Sequence, residues 1–116
     1  MLEINKIYNM DCMEGIKLLD DNSIDLVIID PPYKLSLSKL KHPSSYNSYA
    51  NDLLDLKDGF DLKVLDLLVQ KMKKINIYIY CSKRQVKELL EYFMNKACNY
   101  ELLTWHKMNP SPLTNN

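Results

Sequence analysis

The stretch Ile-Asp-Leu-Val-Ile-Ile-Asp-Pro-Pro-Tyr, residues 24–33, decides the fold of this 116-residue chain. Its central Leu-Val-Ile-Ile run is apolar on both faces and rich in β-branched side chains, which is typical of a central parallel strand covered by helices. Pro31 and Pro32 end the strand, because neither can donate to a neighbouring strand and both fix φ. We therefore expect Asp30 and Tyr33 at the carboxyl end of a strand, where open α/β sheets bind their ligands.

The four residues at this strand end supply complementary chemical groups. The prolines favour extended backbone before them, which holds the Asp30 carboxylate and the carbonyl of Pro31 in place. Tyr33 adds a flat, amphipathic ring that can stack on another ring. A carboxylate, a fixed carbonyl and an aromatic face together predict a site for a planar ring that carries an amino group.

The rest of the chain alternates predicted strands with predicted helices, which indicates one α/β domain over residues 1–116. Further strands are predicted at residues 4–8, 75–81 and 100–107. Helices are predicted at residues 10–19 and 83–97, with one or two more within 52–74. Residues 20–23 form a predicted turn. Residues 34–51 are rich in Ser, Lys, Tyr and Asn without sustained periodicity, so a long mobile loop is predicted there.

Three segments match one known family in the same order. They are Ile-Tyr-Asn-Met-Asp-Cys at residues 7–12, followed by a short helix and Asn-Ser-Ile-Asp-Leu at 22–26; Asp-Pro-Pro-Tyr at 30–33; and Leu-Thr-Trp-His-Lys-Met-Asn-Pro-Ser-Pro at 103–112. Together they resemble the amino-group DNA methyltransferases, which use S-adenosylmethionine to methylate adenine N6 or cytosine N4. The third segment resembles the subgroup that begins with the catalytic half.

The resemblance implies a partial Rossmann-like methyltransferase sheet, mostly parallel, with helices on both faces. It assigns the tetrapeptide Asp30, Pro31, Pro32 and Tyr33 to the flipped-out target base. An exocyclic amine is a poor nucleophile because its lone pair is delocalised into the ring. Acceptors on its N–H bonds, here the Asp30 carboxylate and the Pro31 carbonyl, favour a more tetrahedral nitrogen. Positioning of the methyl donor supplies much of the remaining rate acceleration.

The same resemblance implies roles for residues outside the tetrapeptide. Asp11, with Cys12 beside it, falls where the family binds the adenine of S-adenosylmethionine. Lys34, Lys39 and Lys41, together with His42, can meet DNA phosphates, although a plain solvated loop explains them equally well. The resemblance also implies DNA contacts for three residues of the last segment, Trp105, Lys107 and Asn109. A terminal strand running into a Pro-rich exit explains these residues as well.

The low glycine content indicates that the chain lacks part of the cofactor-binding site. The family carries a Gly-rich turn for the cofactor, whereas this sequence has only Gly15 and Gly59, and neither lies in such a turn. We therefore expect the amino-terminal half of a methyltransferase, truncated or split. Without the strands that carry the turn, an apolar strand edge is left exposed, which predicts a homodimer or a complementing methyltransferase half.

Composition and charge limit the classes of protein to which the chain can belong. Fifteen basic and fifteen acidic residues give a net charge of zero, so no overall basic character favours nucleic acid. The odd number of cysteines disfavours a disulfide framework and their spacing suits no metal, so a metal-free, cytoplasmic protein is predicted. No signal peptide or membrane-length apolar run is present.

Several functions remain open at this point. Asp rather than Ser at the head of the tetrapeptide favours adenine N6 in this family, of restriction–modification type, but cytosine N4 is an alternative. A second alternative is a non-catalytic remnant or subunit that needs a separate cofactor-binding half. A third is methylation of a protein amide or of RNA.

Overall fold

The computed structural model of the chain describes residues 2–33 and 59–108. Within these ranges three helices and two strands follow one another along the chain. They are α1 (Cys12–Lys17), β1 (Val27–Ile29), α2 (Lys63–Lys71), β2 (Ile77–Ile79) and α3 (Val86–Met94). The strands pair in parallel, so the described part is a small α/β structure, as the alternating pattern predicts.

The apolar strand residues alternate between two very different environments. Val27 and Ile29 of β1 pair with Ile77 and Ile79 of β2, and all four contribute to the core. Side chains from α1, α2 and α3 pack in this same core. Its buried apolar members are Val27, Leu65, Leu68, Met72 and Leu89.

In the described part of the chain, side chains on the opposite face of the sheet are exposed. Ile28 is 64% exposed and Tyr78 is 52% exposed, because alternate strand residues point to opposite faces. Residues of α1, α2 and α3 all belong to the core that contains Val27, so the predicted helices on both faces are not confirmed within the described residues. The predicted burial of the central strand on both sides fails for the same reason.

The end of α2 is tied to the segment that leads into β1. Lys71 is buried, and its Nζ donates to Asp21 Oδ1 at 2.6 Å. Backbone bonds run from Ser23 N and Ile24 N to the Lys71 carbonyl, at 2.8 and 3.0 Å. The predicted turn is present, with Asn22 in the left-handed region at φ 54°. These contacts fix where β1 starts and hence where its carboxyl end lies.

Two predicted strands are absent from the described residues. Residues 4–8 and 100–107 belong to neither a strand nor a helix. Ile7 and Leu103 in these segments are exposed. A strand requires a hydrogen-bonded neighbour, and the described ranges give neither segment one. The helices at 10–19, 52–74 and 83–97 are confirmed in shorter form, while the loop predicted at 34–51 lies outside the described residues.

Candidate active site

The carboxyl end of β1 carries the Asp-Pro-Pro-Tyr tetrapeptide, folded so that its two ends meet. The Tyr33 hydroxyl donates a hydrogen bond to Asp30 Oδ1 at 2.7 Å. Burial and this bond raise the pKa of Tyr33 to about 12. The phenol therefore stays protonated at neutral pH and keeps donating to Asp30. Asp30 itself is exposed, so its carboxylate is accessible from solvent.

Two acceptors at this strand end are available to a ligand. Asp30 uses Oδ1 for Tyr33, and no hydrogen bond within the described ranges engages its Oδ2. The carbonyl oxygen of Pro31 likewise receives no donor from the described part of the chain. A carboxylate oxygen and a neighbouring carbonyl can accept both N–H bonds of one amino group.

The carbonyl of Pro32, in contrast, is engaged by the protein. Gln85 Nε2 donates to it at 3.1 Å. The Gln85 oxygen accepts from the backbone N–H and the hydroxyl of Ser82, at 2.9 and 3.1 Å. Gln85 is fully buried, at 0% exposure. The loop after β1 is thus joined to the loop after β2 through one side-chain amide.

Aromatic side chains lie beside this end of the sheet. The backbone N–H of Tyr80 donates to the Ile29 carbonyl at 3.0 Å, which puts Tyr80 next to the strand end that carries Asp30. The ring of Trp105 lies edge-on to Tyr80, with 6.3 Å between ring centroids. Lys107 Nζ is 5.7 Å from the Trp105 ring centroid. The structure therefore brings Trp105 and Lys107 to the sheet end of the tetrapeptide, although Trp105 is 72% exposed.

Asp11 has a structural partner. Its Oδ1 accepts from the backbone N–H groups of Met13 and Glu14, at 2.9 and 3.4 Å, and so caps the amino end of α1. Cys12, the first residue of α1, is exposed. No contact within residues 2–33 and 59–108 joins Asp11 to Asp30. The cofactor role of Asp11 and Cys12 stays a prediction.

The remaining predicted site residues cannot be placed. Four of the residues assigned to DNA, and His42 with them, lie outside the described residues, so their roles stay predictions. These four are Lys34, Lys39, Lys41 and Asn109. In the described ranges, no group of three or more His, Cys, Asp or Glu side chains is arranged to hold a metal ion, and no helix there is long and apolar enough to cross a membrane.

Sequence reasoning missed two residues of this site. Gln85 precedes an amphipathic helix, a position at which a polar residue is ordinarily solvated, and only the tertiary structure buries it. Tyr80 belongs to an alternating strand pattern that predicts its direction but not its neighbour. The alternation of residues 75–81 was the available signal for Tyr80, whereas we find no signal for Gln85.

Known proteins match this chain, two of them over most of its length. It is 28% identical to the Type II methyltransferase M1.MboII of Moraxella bovis over 109 residues, which is 92% of this chain and 39% of that protein. The chain is similar to Type II methyltransferases. A second relative, M.BamHI of Bacillus amyloliquefaciens, is 26% identical over 99 residues, 84% of this chain and 22% of its own length. M.BglII of Bacillus subtilis is 47% identical over 36 residues, 31% of this chain and 10% of its own length.

The extent of these matches limits which properties of the relatives can be assigned to this chain. The chain spans less than two fifths of the length of M1.MboII and a smaller share of M.BamHI. No family model matches the chain. The activity of these whole relatives therefore comes to this chain only as a proposal.

Proposed function

We propose that this chain carries the base-binding part of an S-adenosylmethionine-dependent DNA methyltransferase that modifies adenine N6. What carries the proposal is the accessible Asp30 carboxylate at the carboxyl end of β1, hydrogen-bonded to Tyr33. The similarity to Type II methyltransferases over 92% of the chain supports the reaction class. Asp at the head of the tetrapeptide favours adenine over cytosine N4.

The described side chains suit the binding of a flipped-out base. Asp30 Oδ2 and the Pro31 carbonyl accept the two N–H bonds of the exocyclic amine, which frees the nitrogen lone pair for attack. Tyr33 holds the carboxylate through Oδ1 and offers a ring face to the base. Stacking of a base on an aromatic ring contributes roughly 1–3 kcal/mol, which offsets part of the cost of flipping the base out of the duplex.

Trp105, Lys107 and Tyr80 form an aromatic and basic surface beside this site. Exposed aromatic rings with an adjacent cation are suited to unpaired bases and the phosphates between them. Because Trp105 contacts Tyr80, which pairs next to Asp30, this surface lies where DNA flanking a flipped base would run. We assign it to DNA contacts.

The residues present fit S-adenosylmethionine only in part. Asp11 offers an exposed carboxylate, but one of its oxygens caps α1. The sequence has no Gly-rich turn that would let the backbone approach the cofactor. These residues do not enclose the cofactor by themselves. A separate polypeptide that supplies the turn therefore remains the second proposal, supported by the exposure of the apolar side chains of Ile28 and Tyr78.

The test is transfer of a labelled methyl group from S-adenosylmethionine to unmethylated duplex DNA, followed by nucleoside analysis. The assay is run with the chain alone and with the part of M1.MboII that it does not match, supplied as a separate polypeptide. Asp30→Asn removes the charged acceptor and is expected to reduce transfer by roughly 10²–10³-fold. Asp25→Asn is the matched control, because Asp25 is also exposed: its carboxylate accepts from Lys73, and its backbone carbonyl accepts from the Asn76 side chain.

Each outcome has a distinct meaning. Label in N6-methyladenosine with the chain alone supports a complete enzyme, and label only in the mixture supports a subunit. Label in N4-methylcytosine corrects the base. No label in either arm, or equal loss in Asp30→Asn and Asp25→Asn, refutes the proposed function.

A further inference from the structure

The buried amide of Gln85 connects two loops that are distant in sequence. Gln85 and Pro32 are 53 residues apart, and the bond between Nε2 and the Pro32 carbonyl is 3.1 Å long. On its other side the amide oxygen accepts from Ser82. Both ends of the amide are therefore used, one on each loop at the carboxyl end of the sheet.

The tetrapeptide has few groups by which the protein can hold it. Pro31 and Pro32 carry no N–H, so between Asp30 and Tyr33 the backbone offers only carbonyl oxygens. In the described part of the chain, Gln85 supplies the one hydrogen bond from another segment to these residues. The carbonyl that it binds belongs to the peptide group leading directly into Tyr33.

We propose that Gln85 is a positioning residue, which holds the Pro32 carbonyl so that the Tyr33 hydroxyl reaches Asp30 while the Pro31 carbonyl stays available to the substrate amine. The functional part of this inference rests on the proposed function. Its structural part, the control of Tyr33 by Gln85, can be tested without DNA or cofactor.

The chemistry of the side chain provides a sharp test. A neutral amide donates to one partner while accepting from another. In Gln85→Glu, an ionised carboxylate still accepts from Ser82 but has no proton for the Pro32 carbonyl. When protonated, the same carboxyl restores both bonds, and burial favours this neutral form as the pH falls. The side chain introduced by Gln85→Met has a similar length but forms neither the bond to Pro32 nor the bond from Ser82 at any pH.

The experiment follows the Tyr33 ring signal in NMR spectra of the full chain labelled with ¹³C at the tyrosine rings. The signal is assigned as the one lost in Tyr33→Phe. Because the pKa of Tyr33 is raised to about 12, its own ionisation does not interfere between about pH 5 and pH 8. Gln70→Met is the matched control, since Gln70 also donates through its amide, to Asp21 at 2.9 Å.

The proposal expects a specific pattern. Gln85→Met displaces the Tyr33 signal at every pH, while Gln85→Glu shows the wild-type signal near pH 5 and the displaced one near pH 8. Because Gln85→Met introduces no charge, agreement of the two displaced signals excludes a direct field effect of the carboxylate. Gln70→Met and the wild-type chain show no such change. In the methyl-transfer assay, Gln85→Glu is expected to lose about tenfold in kcat near pH 8 and to recover toward wild type at lower pH, with KM for DNA less affected.

Other results overturn the proposal. A Tyr33 signal of Gln85→Met that coincides with wild type, alongside a lowered melting temperature, makes Gln85 a purely structural residue. A Tyr33 signal that does not change with pH in Gln85→Glu also makes Gln85 a purely structural residue. If Gln85→Met does not fold, this pH comparison of Gln85→Glu decides alone. If the NMR pattern appears but no variant or wild type transfers methyl groups, the positioning role stands and the proposed function fails.

Discussion

Replacing Tyr33 with Phe tests the hydrogen bond that closes the tetrapeptide. The variant keeps the ring but removes the hydroxyl that donates to Asp30 Oδ1 at 2.7 Å. Because the bond goes to a carboxylate and is partly exposed, its loss is expected to lower the free energy of unfolding by about 1 kcal/mol at neutral pH.

The raised pKa of Tyr33 adds a pH dependence with a definite sign. The folded-state pKa is about 12, against an ordinary value of 10.0. A group whose pKa rises on folding contributes stability below its unfolded pKa and loses it as the pH rises through the folded pKa. The difference between these values corresponds to at most roughly 2.7 kcal/mol, and we discount it to about 1 kcal/mol because Tyr33 is only half-buried.

Urea unfolding of wild type and Tyr33→Phe, followed by far-ultraviolet circular dichroism, measures the effect between about pH 8 and pH 12. The stability advantage of wild type is expected to be constant up to about pH 10 and to disappear toward pH 12. Tyr78→Phe is the control and should show no such pH dependence, since Tyr78 is 52% exposed and its hydroxyl has no hydrogen-bond partner within the described residues. An advantage that stays constant through pH 12 would refute the Tyr33–Asp30 bond.

Three further predictions concern the scaffold that carries the site. Leu65→Ala, at a position with 0% exposure, is expected to lower the free energy of unfolding by about 3 kcal/mol, measured in urea. Gly15→Ala is expected to raise it by about 0.5–1 kcal/mol, because the new Cβ meets only the flexible end of Met10 at 3.3 Å. Lys71 lowers the pKa of Asp21 from 3.8, so Asp21→Asn should remove a loss of stability that wild type shows as the pH falls below about 4.

Each of these predictions has its own contrary result. Leu102 is exposed, so Leu102→Ala should leave stability nearly unchanged, and an equal loss in both leucine variants would contradict the described core. A lower melting temperature for Gly15→Ala would show that Met10 cannot yield. An unchanged acid profile for Asp21→Asn would show that the pair with Lys71 is absent in solution.

The elements next to the tetrapeptide could be predicted because local sequence determines them. The β-branched run before Asp30 forms β1, and the Pro-Pro pair ends it as expected. The apolar spacing around Leu65 and Leu89 marks α2 and α3. These features depend on residues a few positions apart.

The predictions that failed concern contacts with neighbouring segments, which a sequence pattern does not specify. Residues 4–8 and 100–107 have strand-like composition, but a strand exists only when another strand pairs with it. The apolar side chain of Ile28 suggests burial, yet the described helices pack on the other face. Gln85 was missed for the converse reason, since its burial depends on loops at the ends of two different strands.

The pairing of β1 with β2 has a consequence for the kinetics of folding. Val27 and its partner Ile77 are 50 residues apart, so closing this loop costs about 3.5 kcal/mol of chain entropy in addition to a constant. Helices such as α2 and α3 form from local contacts within about a microsecond. We therefore expect the sheet to form after the helices in a slow step, and the contact between Gln85 and Pro32 to be among the last native interactions that the chain acquires.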